Sequence, residues 1–177
     1  MPPVPQSERL LFREFLPIDA EAMFEMDSDP EVHLYLGNNP VKHIDECRFI
    51  IENIQWQYKT FGMGRMAVIL KETGKFIGWA GLKRERNVNG HEVFYDLGYR
   101  FLKKHWGKGY ATEAAKIFVA YGFDMLNLAK INAYADMPNI ASRSVLEKAG
   151  LKYIETFNLD WTEEAWYELN HSEYKPE

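Results

Sequence analysis

The segment from 97 to 114 constrains the fold of this 177-residue chain more than any other. It starts with a strand-like alternation, continues through a basic turn that contains Gly107 and Gly109, and ends in an amphipathic helix. The start of a helix leaves backbone N–H groups unpaired and carries a partial positive charge, and glycines let a ligand approach the backbone. This pattern predicts a strand and a helix joined by a loop that binds a phosphate or pyrophosphate.

Two common phosphate motifs do not fit this turn. The P-loop requires Gly-Lys-Ser/Thr at a fixed spacing, and the dinucleotide fingerprint requires a third glycine where Thr112 stands. The alternative interpretation is that the glycines only permit a tight turn at the start of a helix. The residues of the turn alone leave both interpretations open.

Hydrophobic periodicity along the rest of the chain predicts one domain of mixed α/β or α+β class. We expect this domain to span 7–172, after a disordered lead-in at 1–6 and before a short tail at 173–177. The predicted strands lie at 10–15, 65–70, 75–82, 92–101, 131–135, 151–156 and 165–169. The predicted helices lie at 18–26, 44–58, 107–127 and 139–149, and a further helix is predicted to start at Asp29 and Pro30.

Composition and charge narrow the class of protein. The net charge of −5 disfavours a general nucleic-acid binder. The single cysteine, Cys47, excludes an intramolecular disulfide and a cysteine-based zinc cluster, and the five histidines lack metal-ligand spacing, so we expect no metal. No apolar run reaches the roughly 18–20 residues that span a bilayer. We therefore expect a cytoplasmic protein with neither membrane nor nucleic acid as a partner.

The basic turn resembles motif A of the GNAT superfamily of N-acyltransferases, whose pyrophosphate loop reads Gln/Arg-x-x-Gly-x-Gly/Ala. Lys104, Gly107 and Gly109 occupy those places, with Lys104 replacing Gln or Arg. The neighbouring words resemble the RimJ/RimL-like branch, which acetylates ribosomal-protein N-termini and other amines. Those words are Leu97-Gly98-Tyr99, 106–114, 7–13, 29–37 and 139–151. The resemblance covers about 7–170 and implies a GNAT fold, with a central, mostly antiparallel sheet, a splayed strand pair and flanking helices.

The resemblance also implies acetyl-CoA as co-substrate and indicates which residues bind it. Backbone groups of Arg100, Phe101 and Leu102 would hold the pantetheine and the thioester carbonyl. The pyrophosphate would lie against the loop, which consists of Lys104, His105, Trp106, Gly107, Lys108, Gly109, Tyr110 and Ala111. The cationic side chains around this helix start have no acid between them in the sequence, which predicts a small cationic notch formed by Arg100, Lys103, Lys104 and Lys108.

Acyl transfer to an amine needs a base that takes the amine proton. Strand alternation places Glu92, Asp96 and Arg100 on one face of the predicted strand at 92–101. Asp96 stands where the RimJ/RimL-like branch usually carries an acidic residue, so it is our first candidate for the base and Glu92 is the second. The alternative for each is a surface acid that is solvated or paired with a cation.

The departing thiolate needs a proton or a hydrogen-bond donor. Many GNAT enzymes use a tyrosine of the late helix, but Leu146 stands at that position here. Ser142 shares the inward stripe of this helix with Leu146, and in the branch that the chain resembles this serine approaches the CoA sulfur. Asn139, one turn earlier, is a candidate helix cap and pantetheine contact.

These inferences predict an acetyl-CoA-dependent N-acetyltransferase that acts by direct transfer in a ternary complex. The acceptor would be a primary amine, either a protein or peptide N-terminus or a small molecule such as a polyamine or aminoglycoside. Acidic groups, namely Asp27, Asp29, Glu31 or Asp96, would suit a cationic acceptor. One alternative is a non-catalytic CoA-binding sensor or interaction module, for which Leu146 is the argument. A nucleotide-binding protein is a third alternative, and a homodimer is left open.

Overall fold

The computed structural model describes residues 2–4 and 6–176 as seven strands and four α-helices. The strands are β1 (Leu10–Arg13), β2 (Arg65–Leu70), β3 (Lys75–Val88), β4 (His91–Phe101), β5 (Lys130–Asp136), β6 (Lys152–Leu159) and β7 (Thr162–Asn170). The helices are α1 (Ala20–Asp27), α2 (Ile44–Phe61), α3 (Tyr110–Ala120) and α4 (Ile140–Lys148). Short 3-10 turns lie at Pro17–Asp19, Lys103–His105 and His171–Glu173, and a π-helical turn at Tyr121–Met125 follows α3.

The strands form one sheet in the order β1-β2-β3-β4-β5-β7-β6. Every neighbouring pair is antiparallel except β4 and β5, which run parallel and meet at a single register pair, Asp96 with Asn132. Since no further pairing forms between β4 and β5, the two strands part towards their carboxyl ends and leave a cleft. This geometry confirms the expected GNAT fold with its splayed strand pair.

The helices cover both faces of the sheet. On one face α3 and α4 build the larger core, whose buried members include Leu82, Ala114, Phe118, Ile131 and Leu146. On the other face α1 and α2 build a second core, whose buried members include Met23, Ile51, Ile54, Ala67 and Ile69. The cleft between β4 and β5 therefore opens between two packed layers.

The helix predicted at Asp29 is wrong. The Asp29 Oδ1 accepts a hydrogen bond from the backbone N–H of Glu31 at 2.9 Å, as a helix cap would, but the chain continues as turns up to Asn38. Its apolar side chains at 34–36 are consecutive and exposed, so they form no helical stripe to bury. Positive φ angles at Gly37 and Asn38 then end the segment.

The helix predicted from Gly107 starts later, at Tyr110. Gly107 and Gly109 have φ angles of +70° and +81°, which a right-handed helix does not allow. Both glycines belong to the turn, and α3 starts directly after the second one. The turn therefore has the extra length that a ligand loop needs.

The ends of the chain make contacts with the domain. The Pro2 carbonyl accepts a hydrogen bond from Tyr121 Oη at 2.8 Å, and Val4 packs against the larger core. The Tyr174 ring lies 4.9 Å from that of Phe123. Residues 1, 5 and 177 lie outside the described residues, and both the disorder of 1–6 and the domain limits stay predictions.

Candidate active site

A cavity of about 890 Å³ lies between the α1–α2 layer and the splayed strands. Its lining brings together four of the predicted catalytic and CoA-binding residues, which are Asp96, Arg100, Asn139 and Ser142. Glu92, Phe101, Leu102 and the turn at 104–111 are not among its lining residues. The structure thus places the candidate acid and the first candidate base in one cavity.

Asp96 is held by a residue that the sequence analysis missed. The Asp96 side chain is largely buried, and its Oδ2 accepts a hydrogen bond from Nη2 of Arg65, while Arg65 Nη1 donates to the Asp96 carbonyl at 2.7 Å. Arg65 also donates to the Gly81 carbonyl, and the missing side chain of Gly98 leaves room for its guanidinium. Burial raises the pKa of Asp96, and the Arg65 charge opposes that shift. Asp96 is therefore a paired acid, with its Oδ1 left for other contacts.

Glu92 lies at the other end of the strand. It is exposed, and four residues of extended chain separate it from Asp96 by about 13 Å. Glu92 shares a face with Asp96, as alternation predicts, but Asp96 lines the cavity and Glu92 does not. The structure therefore brings only the first of the two candidate bases to the cleft.

Ser142 lies at the start of α4, where Asn139 caps the helix. The Asn139 Oδ1 accepts a hydrogen bond from the Ser142 backbone N–H at 3.1 Å. Tyr99 of β4, which the sequence analysis did not single out, donates to the Ser142 carbonyl at 2.8 Å and lies 3.1 Å from Ser142 Oγ. Burial raises the pKa of Tyr99, so it remains a protonated donor at neutral pH. The Tyr99 phenol and the Ser142 hydroxyl thus lie within hydrogen-bond distance of each other across the cleft.

The basic turn is shaped by Arg9 and Trp106. Arg9 Nη1 donates to the Lys108 carbonyl at 2.9 Å, and Arg9 Nε donates to Glu113 of α3 at 2.7 Å. Trp106 Nε1 donates to the Phe101 carbonyl at 2.8 Å. Apart from Gly107 and its two chain neighbours, no described residue has a heavy atom within 4 Å of the point where a Cβ on Gly107 would stand. The turn is thus an open cradle of backbone, fixed from outside by side chains.

A family model described as an acetyltransferase (GNAT) domain matches residues 9–152, a stretch that contains the cradle, the cleft and Ser142. The chain belongs to the GNAT acetyltransferase family. It is an N-acetyltransferase, and acetyl-CoA is its acyl donor.

Known proteins agree with this GNAT assignment. The "Uncharacterized N-acetyltransferase p20" of Bacillus licheniformis is 36% identical over 141 residues, which are 79% of this chain and 77% of that protein. A GNAT-family acetyltransferase of Bacillus anthracis superposes with a TM-score of 0.79 at 29% identity, over 95% of this chain and 98% of that one. The ribosomal-protein-S5-alanine acetyltransferase of Vibrio fischeri shares the fold, with a TM-score of 0.76 at 18% identity over 97% and 98% of the two chains.

In this GNAT protein, acids from another part of the chain pair with three of the four cations of the predicted notch. Arg100 Nη1 lies 2.8 Å from Oδ1 of the fully buried Asp27, Lys103 pairs with Glu31, and Lys104 Nζ lies 2.7 Å from Glu25 Oε1. These acids come from α1 and the turn after it, which are far away in sequence. Exposed pairs such as those of the two lysines are weak, so a pyrophosphate can displace them, whereas the Arg100 pair is buried.

The backbone of β4 offers fewer groups to pantetheine than the resemblance implied. The Leu102 N–H donates to the Ile77 carbonyl of β3 at 3.0 Å, and the Leu102 carbonyl accepts from the His105 N–H at 2.8 Å. Alternation along the strand then turns the Arg100 groups towards β3 and the Phe101 N–H towards the cleft. Of the three predicted residues, Phe101 therefore presents the donor on the cleft side.

Among residues 2–4 and 6–176, no group of three His, Cys, Asp or Glu side chains is arranged to hold a metal ion. Within that same part of the chain, no helix combines the length and apolarity that a bilayer crossing requires.

Proposed function

We propose that this N-acetyltransferase moves the acetyl group of acetyl-CoA directly to a primary amine held in the cavity. The observation that carries the proposal is that Tyr99 contacts Ser142 and that Ser142 and Asp96 line the same cavity at the cleft between β4 and β5. Cys47, the only thiol of the chain, lies on the fully buried face of α2, and burial raises its pKa to about 11. A covalent acyl-enzyme on this cysteine is therefore disfavoured, and direct transfer in a ternary complex is the mechanism we infer.

The proposed reaction assigns a role to each group. The neutral amine attacks the thioester carbon while the Phe101 N–H polarises the carbonyl oxygen. The C–S bond breaks as the C–N bond forms, and the departing thiolate accepts a hydrogen bond from Ser142 Oγ, which the contact with Tyr99 Oη positions, before a solvent proton converts it to the free thiol. The amine proton leaves to Asp96 Oδ1, directly or through water. Within the loop at 104–111, the backbone N–H groups from Gly107 onward hold the pyrophosphate, because those of His105 and Trp106 already donate to the carbonyls of Leu102 and Lys103.

The assignment of the chain to the RimJ/RimL-like branch is also a proposal. The sequence motifs that resemble the RimJ/RimL-like branch favour the kind of acceptor that this branch acetylates, which is a protein N-terminus or a small amine. A non-catalytic CoA-binding module is not favoured, because Ser142 Oγ, which lies 3.1 Å from Tyr99 Oη, offers a donor to the thiolate where Leu146 replaces the usual tyrosine. A cytoplasmic location and a homodimer stay predictions.

Thiol release from acetyl-CoA against a panel of amines and peptides tests the proposed function, with mass spectrometry of the acetylated products. We expect stoichiometric release of CoA and a mass increase of one acetyl group on an amine. Tight CoA binding with no turnover on any amine would contradict the proposal.

Replacing Ser142 with Ala tests the assigned acid. We expect turnover to fall about 10- to 100-fold, because the thiolate loses its donor, while the dissociation constant of CoA stays within a few fold. Steady-state kinetics and calorimetric titration with CoA measure the two quantities. Ser144→Ala, in the same helix but outside the cavity lining, is the matched control and should leave both unchanged. Unchanged turnover in Ser142→Ala would make this serine a helix residue only.

A further inference from the structure

The charges that line the cavity do not balance. Three cations of the lining are already paired with lining acids, in Arg65–Asp96, Lys83–Glu85 and Arg100–Asp27. Three further lining carboxylates, Asp136, Asp160 and Glu164, have no cation within ion-pair distance among residues 2–4 and 6–176. The unpaired charge of the cavity is therefore negative.

Two of these carboxylates face each other. Asp136 of β5 and Glu164 of β7 are direct register partners in an antiparallel ladder, so both side chains stand on the same face of the sheet. Glu164 is only 7% exposed, and it accepts a hydrogen bond from the neutral Thr162 Oγ1 at 2.9 Å. Burial raises the pKa of Glu164, and the charge of Asp136 raises it further. Two neighbouring carboxylates that are shielded from water repel each other, and a cation placed between them stabilises both.

A second observation in the same cavity points to the same kind of partner. The Asp27 side chain is fully buried, and its Oδ2 accepts no hydrogen bond from the described residues. The enclosed Oε1 of Gln57, also in the lining, likewise finds no donor there. Both enclosed, unpaired atoms in the lining are acceptors, so a matching ligand supplies N–H donors.

The wall beside the acidic pair is aromatic. The next register pair on the same face is Tyr134 with Trp166, whose rings stack at 6.2 Å, and Tyr134 lines the cavity. A methylene chain can pack on such a surface while its ends reach polar groups. The cavity therefore combines an apolar wall with acceptors at more than one point.

We propose that Asp136 and Glu164 bind a protonated amine of the acceptor that does not itself react, so that the acceptor is a small di- or polyamine. The inference rests on the proposed function and names the substrate class of the same site. The amine that reacts must be neutral, whereas the second amine keeps its charge and meets the carboxylate pair. The aliphatic chain between the two amines lies along Tyr134.

Matched pairs of acceptors test this subsite. Each α,ω-diamine of three to eight carbons is compared with the monoamine of the same chain length, in thiol-release assays on wild type and on Glu164→Gln. We expect at least one diamine to exceed its monoamine by about 10- to 100-fold in kcat/KM, and Glu164→Gln to remove most of that preference while changing monoamine turnover by less than about threefold. Asp136→Asn should act in the same direction.

The neighbouring Glu163 provides the control. It is exposed and adjacent to Glu164 in β7, so its side chain points to the opposite side of the strand, and Glu163→Gln should leave the diamine preference unchanged. Thermal melting confirms that each variant is folded. Equal kcat/KM for every diamine and its monoamine in wild type would overturn the proposal, as would an equal loss for both in Glu164→Gln.

Failure of the proposed function is distinguishable from failure of the subsite. Turnover of monoamines with no diamine preference removes the subsite and leaves the N-acetyltransferase. If no amine is turned over, calorimetric titration of the CoA complex with diamines decides the subsite alone. Binding by wild type that Glu164→Gln loses would support the subsite, and absence of binding to wild type would overturn it.

Discussion

Arg65→Ala is expected to lower the free energy of unfolding by about 3–5 kcal/mol, because it leaves the buried Asp96 carboxylate without its partner. The same guanidinium donates to the carbonyl groups of Gly81 and Asp96, so the substitution removes the contacts through which one side chain of β2 ties β3 to β4. Few single changes in a domain of this size should cost as much. Urea unfolding, followed by circular dichroism, measures the loss.

The matched control is another arginine in an ion pair. Arg48 pairs with Asp45 at 2.5 Å on the surface of α2, where both side chains are more than half exposed, so Arg48→Ala should cost less than about 1 kcal/mol. Gly98→Ala gives an independent check, since its Cβ would stand 2.5 Å from Arg65 Nη2 and displace the guanidinium. If Arg65→Ala unfolded at the same urea concentration as Arg48→Ala, the buried pair would contribute nothing to stability.

Gly109→Asp is expected to weaken CoA binding by at least about 100-fold. Its φ of +81° is strained for any residue with a side chain, and the new carboxylate would stand in the cradle that we propose for the pyrophosphate. The Cβ would also lie 3.4 Å from Arg9 Nη2, so the new side chain would stand beside the arginine that holds the Lys108 carbonyl. Calorimetric titration with CoA measures the dissociation constant.

A substitution at a second glycine distinguishes the effect of backbone strain and added charge from the effect of their position in the loop. Gly74, in the turn between β2 and β3, has a φ of +66° and open space around its Cβ position, so Gly74→Asp adds the same strain and the same charge away from the loop. It should bind CoA as wild type does. Equal affinity for CoA in Gly109→Asp and Gly74→Asp would show that the pyrophosphate lies elsewhere.

Local sequence patterns predicted well those helices and strands whose limits depend on residues adjacent in the chain. The strand at Arg65–Leu70 has the predicted limits. The helix predicted at 44–58 continues to Phe61 and ends there, because Gly62 adopts the left-handed conformation. The cradle was also predictable, since its glycines and basic residues adjoin one another in the chain. The helix expected at Asp29 failed because a capping residue alone does not sustain a helix without an apolar stripe.

Pairings between distant parts of the chain could not be predicted in this way. Arg65 and Asp96 are 31 residues apart, and Arg100 and Asp27 are 73 apart. The local spacing of a strand arginine does not indicate which acid it will pair with. The ion pairs that occupy the predicted cationic notch were missed for the same reason. Tyr99 was overlooked because alternation put Asp96 and Arg100 on one face, and the contact of Tyr99 with α4 depends on how the helix packs.

The single pairing of Asp96 with Asn132 also bears on how the chain is held together. It divides the sheet into a four-stranded and a three-stranded ladder, with one backbone link between them. Cooperative unfolding units commonly follow such seams. A co-substrate that inserts between the ladders acts as a reversible cross-link, and at a free concentration of 100 times its dissociation constant it adds about 2.7 kcal/mol to the stability of the folded chain. Folding and acyl-donor supply are thus thermodynamically linked in this protein.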